Sequence, residues 1–184
     1  ACVLHYIEND QKCKEGDLLL MDFGAELGNY AADCSRTIPV SGRYNDRQKL
    51  YYNAVLDVYK RAHKLYIPGN TIDGVNEQVG KWMEEKMIEL GLLNAEEVAR
   101  QPEDTPLYKR YFMHGTSHFI GLDVHDVGSK QTIFKKGMVL TCEPGLYIPE
   151  ENIGIRIETD IVVDDQPIDL MADFPVEVED IEKA

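Results

Sequence analysis

Two blocks of strand-like sequence flank two helical stripes, and this order constrains the fold of the 184-residue chain more than any other feature. In the first block Leu18–Phe23 is an apolar run that reads as a buried strand, and Tyr30–Thr37 reads as its returning partner. Gly28-Asn29 between them is a hairpin turn. Residues 2–8 read as a further strand. Asp46–Tyr66 then carries Leu50, Ala54, Val55, Val58, Ala62 and Leu65 at helical spacing. Pro68-Gly69-Asn70 ends that helix. Thr71 can cap a second one, with Ile72, Val75, Val79, Trp82, Met83 and Leu90 along its face and Gly91 at its close. Asn94-Ala-Glu-Glu97 has the pattern of a capping box for a short further turn. In the second block Met138–Glu143, Gly145–Ile148 and Ile155–Val163 read as strands, and Gly121 with its β-branched neighbours favours a strand within Phe112–Val127. Helices between two strand blocks predict an α+β domain.

The strand-like segments also hold the candidate chemistry. LLLMDFGAE carries Asp22, YAADCSRT carries Asp33, HGTSHFIGLDVHDVG carries His118, LTCEPGLYI carries Glu143 and GIRIETD carries Glu158. A turn at Leu27–Gly28 lies midway between Asp22 and Asp33 and is expected to set them opposite each other. Four carboxylates and one imidazole are what a protein offers to two adjacent divalent cations, because four acids neutralise two such ions. Without metal, converging carboxylates repel one another and must shift their pKa values to coexist. An oxygen-rich set with one nitrogen favours Mn²⁺ and also admits Co²⁺ or Zn²⁺. His114 and His118 have the i, i+4 spacing of a zincin helix, but no glutamate lies between them and Gly115 follows the first, so that reading fails. Arg156, Glu158 and Asp160 alternate onto one face of a strand. Taken alone, Arg156 and Glu158 would be an exposed ion pair of little value.

The remaining sequence bounds the function. A net charge of −14 argues against nucleic acid or an anionic membrane as partner, since phosphate contacts need a basic surface. No apolar run approaches the ~18 residues of a membrane-spanning helix, and the first residues lack the pattern of a signal peptide. Cys2, Cys13, Cys34 and Cys142 form no CxxC pair and read as reduced thiols, so a cytoplasmic location is expected. Alternation points Cys34 and Cys142 away from Asp33 and Glu143, into packing. His63 reads as a solvated helix residue. Tyr51, Tyr59, Trp82 and Met83 read as core or interface. The residues from Asp164 onward read as an exposed tail or a final strand with linker.

From LHY at residue 4 to IVV near residue 163, these motifs resemble the Xaa-Pro aminopeptidases (aminopeptidase P), relatives of prolidase within the pita-bread metallopeptidases. Five separated motifs stand in the family's order, and HGTSHFIGLDVHDVG is long and unusual. The resemblance implies a pita-bread catalytic domain over residues 1–184. Its first half lacks the helices expected before residue 1, so the domain is expected to be incomplete at its N-terminus. Exposed sheet surface left by such an absence would favour self-association, and a homo-oligomer is expected. The resemblance implies a pair of divalent metals held by Asp22, Asp33, His118, Glu143 and Glu158. Glu143 would also carry protons, and Arg156 would orient the acidic cluster or meet substrate. His5, His114 and His125 would bond the scissile carbonyl or shape a proline pocket. The implied substrates are peptides with proline second. Prolidase, acting on Xaa-Pro dipeptides, is the near alternative, and NIGIRIETD looks more like aminopeptidase P. Methionine aminopeptidase fits the histidine motif less well, and creatinase does not use a metal cluster. An inactive peptidase-like binding protein is the alternative from another class.

Overall fold

A computed structural model describes residues 2–183. Its elements follow the predicted order. Strand β1 (Leu18–Phe23) pairs antiparallel with β4 (Cys34–Pro39), and the two-residue strands β2 (Glu26–Leu27) and β3 (Tyr30–Ala31) close the hairpin between them. Gly28 and Asn29 both have positive φ, 60° and 68°, as a type I′ hairpin turn demands. Helices α1 (Asp46–His63), α2 (Ile72–Glu89) and the short α3 (Ala95–Val98) follow. Then come β5 (Val139–Cys142), β6 (Gly145–Ile148), β7 (Ile153–Arg156), β8 (Thr159–Val162), β9 (Ile168–Asp169) and the final turn α4 (Val178–Ile181). Strands β5, β8 and β9 form one antiparallel sheet with β8 central, and β6 pairs with β7. A bridge between Ser35 and Glu158 joins the first strand block to the second. The α+β expectation therefore holds.

The helices form because their ends are capped and one face is apolar. Asn45 accepts from the Gln48 amide while the Gln48 side chain accepts from the Asn45 amide, a capping box at α1. Thr71 accepts from Gly74 at the start of α2, and Asn94 accepts from Glu96 and Glu97 at the start of α3. Tyr51, Val55, Val58, Tyr59 and Ala62 of α1 and Val75, Val79, Met83 and Met87 of α2 are buried. They pack in one core with Leu140, Leu146, Ile148, Ile155, Ile157 and Ile161 from the second strand block. Leu50, expected on the buried stripe, is exposed instead. The deeply buried Tyr66 hydroxyl donates to the Thr141 carbonyl, so the connection between α1 and α2 is tied to β5 by a polar contact.

Several expectations need correction. Residues 2–8 form no strand. No backbone hydrogen bond involves residues 2–13 among the described residues, so they lack the ladder that defines one. Phe112–Val127 is not a strand either. It is an irregular segment touching the sheet through one bridge, Phe119 to Leu140, with the His118 amide donating to the Thr141 side chain and the His118 and Thr116 carbonyls accepting from the Thr141 and Glu143 amides. The strand expected over Ile155–Val163 is interrupted at Ile157-Glu158 and changes partner from β6 to β5. The chain after Asp164 follows the final-strand reading and not the exposed tail. It adds β9 to the sheet, buries Val178 in the core and receives bonds from Tyr52 and Arg36 at the Val176 and Pro175 carbonyls. His63 is half-buried rather than solvated, and its Nε2 has no hydrogen-bond partner among the described residues. Burial lowers its pKa. The four cysteines are free, with Cys34 and Cys142 buried as alternation predicted.

Candidate metal centre

The first hairpin supplies Asp22 and Asp33. The register places Ser35, not Asp33, opposite Asp22. Asp33 lies two residues before Ser35 and so occupies a diagonal position on the same face, still within side-chain reach. The expectation of directly opposed acids is corrected to this diagonal. The hairpin is pinched between the two acids, where a Cβ on Gly24 would lie 1.8 Å from the Ala32 carbonyl oxygen. Only glycine allows that backbone approach.

The second strand block supplies the other three. The His118 amide donates to Thr141 Oγ1 at 3.0 Å, and the Thr141 amide donates to the His118 carbonyl at 3.1 Å. The ring Nδ1 lies 2.9 Å from the Phe119 carbonyl, so Nδ1 carries a proton and Nε2 is the atom turned to the acids, where a metal would displace its proton. That Nε2 faces Asp33 Oδ2 at 3.5 Å and Glu143 Oε1 at 3.7 Å. Glu143 follows β5, and its amide donates to the Thr116 carbonyl at 2.8 Å. The Asn76 side chain of α2 accepts from the Thr116 amide at 2.7 Å, which anchors the histidine segment to a helix. Glu158 sits at the interruption between β7 and β8, 2% exposed, with Oε2 accepting from Ser35 Oγ at 2.6 Å.

These five side chains converge. Donor atoms of Asp22, Asp33 and Glu158 lie within 4.8 Å of one another, and so do those of His118, Glu143 and Glu158. The two groups share Glu158 and together contain every residue that the sequence named as a ligand. A third group joins Asp33, His118 and His125. All of them border a cavity of about 760 Å³. Asp22 is the exposed member and stands at the cavity wall.

The remaining candidates surround that cavity. Arg156 is 3% exposed and far from the exposed ion pair that a strand face alone would give. Its Nη2 lies 2.6 Å from Asp22 Oδ2, its Nε donates to Ser35 Oγ, and its Nη1 donates to Tyr147 Oη. The His114 ring is engaged on both sides, by the Gly115 carbonyl at Nδ1 and by the Tyr147 hydroxyl at Nε2. His125 lies against His118, with ring centroids 4.2 Å apart and planes tilted by 57°, and is exposed at the cavity. His5 is exposed and also borders the cavity. Tyr147, Ser35, Thr141 and Asn76 were not singled out from sequence. Each is an ordinary strand or helix residue there, and only tertiary placement brings it to the site. Asp160 was placed on the Arg156 face but given no role.

The electrostatics are those of crowded acids. Burial raises the Glu158 carboxyl well above the usual range, and the charges of Glu143 and Asp33 add to this. Burial likewise raises Glu143, against the pull of His118 and Arg156. Asp22 is raised by burial, with Arg156 opposing and Asp33 reinforcing. Burial opposes charging of His118, but its bond to Asp33, the Phe119 carbonyl and the charges of Glu143 and Glu158 win and raise it to about 9. Burial lowers His114 to about 4, so it is neutral near pH 7. A positive charge is thus favoured at the centre of the cluster. Carboxylates pushed up by burial and by one another's charge, with one imidazole Nε2 aimed among them, fit a divalent metal site.

The model of metallopeptidase family M24 matches residues 1–165. The chain is 40% identical to a Xaa-Pro aminopeptidase of Haemophilus influenzae, over 99% of this chain and 45% of that protein. It is 43% identical to a Xaa-Pro aminopeptidase of Escherichia coli, over 89% of this chain and 39% of that protein. The solved structure of zinc-substituted E. coli aminopeptidase P with product superposes with a TM-score of 0.90 at 41% identity, covering 99% of this chain and 44% of that one. The pita-bread fold expected from the resemblance stands on that match. The chain spans less than half the length of these relatives. With the match to the family model running through all five acid and histidine motifs, the chain belongs to metallopeptidase family M24.

Proposed function

We propose that this chain carries the dinuclear metal centre of a Xaa-Pro aminopeptidase, which hydrolyses the bond between an N-terminal residue and a following proline. The observation that carries the reading is the pair of donor groups sharing Glu158. Charge supports two ions rather than one. Four acids, Asp22, Asp33, Glu143 and Glu158, line the cavity together. Their four negative charges, when ionised, match two divalent cations. Mn²⁺ suits the oxygen-rich set best, and Co²⁺ or Zn²⁺ are the next choices.

Asp22, Asp33, His118, Glu143 and Glu158 would hold the metals, which when bound acidify a water and polarise the scissile carbonyl. Glu143, mostly buried and with its pKa raised, accepts the proton of the attacking water and returns it to the proline nitrogen as that nitrogen leaves. Arg156, which also borders the cavity, fixes the Asp22 carboxylate. His125 and His5, exposed at the cavity, are free to donate to the carbonyl oxygen as it gains charge. His114 has both ring nitrogens engaged, so its part is to hold Tyr147 and wall the pocket. A Xaa-Pro bond has no N–H, so the cavity selects the proline ring by shape rather than by that hydrogen bond.

Calorimetric titration with Mn²⁺, followed by incubation with a Xaa-Pro-Xaa tripeptide and a Xaa-Pro dipeptide, tests the reading. Two bound ions and cleavage of the tripeptide are expected. Absence of Mn²⁺ binding overturns the metal centre. Cleavage of the dipeptide alone assigns prolidase activity instead.

A further inference from the structure

We propose that Asp160 is a positioning residue, which aims Asp33 into the metal centre by accepting its backbone N–H. The inference rests on the metal-centre reading above. Asp160 lies in the central strand β8, opposite Thr141 of β5, and is 3% exposed. Its Oδ2 accepts from the Asp33 amide at 3.1 Å, across 127 positions of sequence. Asp33 has left the hairpin ladder at this point. Ala31 and Ala32 donate to the carbonyls of Gly121 and Ala25, and β4 begins only at Cys34. The Asp33 amide has only this one partner among the described residues. Removing it frees the Asp33 peptide plane to turn, and with it the carboxylate that faces His118 Nε2 at 3.5 Å.

Stability does not account for this residue. Asp160 Oδ1 is buried with no hydrogen-bond partner among the described residues. No lysine or arginine forms an ion pair with Asp160 among the described residues. A buried carboxylate with one hydrogen bond and one idle oxygen costs the fold more than an apolar residue of similar size. Such a group is retained for placement. Alternation along the strand puts Asp160 on the same face as Glu158, so one short segment supplies both a ligand and the anchor of another ligand. Groups that orient metal ligands carry a large share of metal affinity, typically a factor of ~10–100.

The test compares the whole chain with Asp160→Asn, which keeps an acceptor oxygen, and Asp160→Ala, which removes it. Mn²⁺ affinity is read by calorimetry and thermal midpoint is read in chelator. Asp160→Ala should bind Mn²⁺ ~10–100-fold more weakly while its metal-free midpoint is unchanged or raised. Asp160→Asn should stay within about threefold of the native affinity, because the hydrogen bond rather than the charge does the positioning. Should the alanine variant fail to fold, Asp160→Ser takes its place, since its shorter side chain does not span the gap to the Asp33 amide. Native-like affinity in the variant lacking the acceptor overturns the proposal, and so does an equal loss in Asp160→Asn. If the unmodified chain binds no Mn²⁺, the metal-centre reading has failed, which is a distinct result.

Discussion

Arg156 Nη2 lies 2.6 Å from Asp22 Oδ2, and the same guanidinium donates through Nε to Ser35 Oγ at 2.8 Å. One side chain of the second strand block therefore grips two residues of the first, across 134 positions in the case of Asp22. Lysine keeps the charge but cannot make this fork. Arg156→Lys should weaken Mn²⁺ binding by ~10-fold and lower peptidase activity at least as much. Because Asp22 is more than a third exposed, its ion pair with Arg156 adds little to folding stability. The thermal midpoint in chelator should fall mainly through the buried bonds to Ser35 and Tyr147 that lysine leaves unmade. Calorimetry on Arg156→Lys decides the matter, and an affinity within twofold of native would show that Asp22 is held by other means.

Glu158→Gln separates a ligand from a structural acid. Glu158 is shared by both donor groups, and its burial beside Glu143 and Asp33 opposes its charge. The glutamine is nearly isosteric and can still accept from Ser35 Oγ, so the fold keeps its bridge. Without metal the variant should be more stable, with a midpoint raised by ~2–5 °C, because one buried repulsion is gone. With Mn²⁺ it should lose at least ~10-fold in affinity and most of its activity. A variant that is destabilised in chelator and binds metal normally would make Glu158 a structural residue.

Much of this arrangement was legible in the sequence, and the parts that were not share a cause. Periodicity found α1 and α2, and caps at Thr71 and Asn94 were readable because capping is a local interaction. The five acid and histidine positions were readable because their motifs stand in order along the chain. The strand expected over residues 2–8 failed because a strand exists only with a partner, and pairing is nonlocal. The diagonal relation of Asp22 to Asp33 was missed because the turn is centred on Gly28-Asn29, one residue beyond Leu27–Gly28, which moves the partner of Asp22 from Asp33 to Ser35. Arg156 looked like an exposed pair, since nothing local records that Ser35, Tyr147 and Asp22 close over it. Asp160 was seen on the correct face, yet its partner is an amide in the other strand block.

Gly24 tests the pinch between the two hairpin acids. Its φ is not in the left-handed region, so the constraint is proximity alone. A methyl group there would meet the Ala32 carbonyl oxygen at 1.8 Å, and that oxygen belongs to backbone. Gly24→Ala must separate the strands just where Asp22 and Asp33 converge. It should cost ~1–3 kcal/mol of stability, in the range of overpacking, and should reduce Mn²⁺ affinity in parallel. Chemical denaturation and calorimetry on the same sample check both effects. A stable variant with native affinity would mean that the hairpin does not set the spacing of the acids.

The pH dependence of stability follows from the direction of each shift. Asp160 rises from 3.8 to about 6, His118 rises from 6.5 to about 9, and Glu143 and Glu158 also rise. A group with a raised folded-state pKa binds more protons folded than unfolded, so its stabilisation is full below the unfolded value and is lost as pH climbs through the folded one. His114 is lowered from 6.5 to about 4 and works the other way, adding stability as pH rises between those values. Above pH 6.5 its contribution is constant, and only the raised groups still titrate. The metal-free protein should therefore lose stability steadily from pH 6.5 to about 9. Divalent metal competes with protons for the same lone pairs, so saturating Mn²⁺ should flatten or reverse this slope. Thermal melts in chelator and in Mn²⁺ across that range measure both slopes. A metal-free midpoint that does not change between pH 6.5 and 9 would mean that the acids around His118 are too well solvated to repel one another.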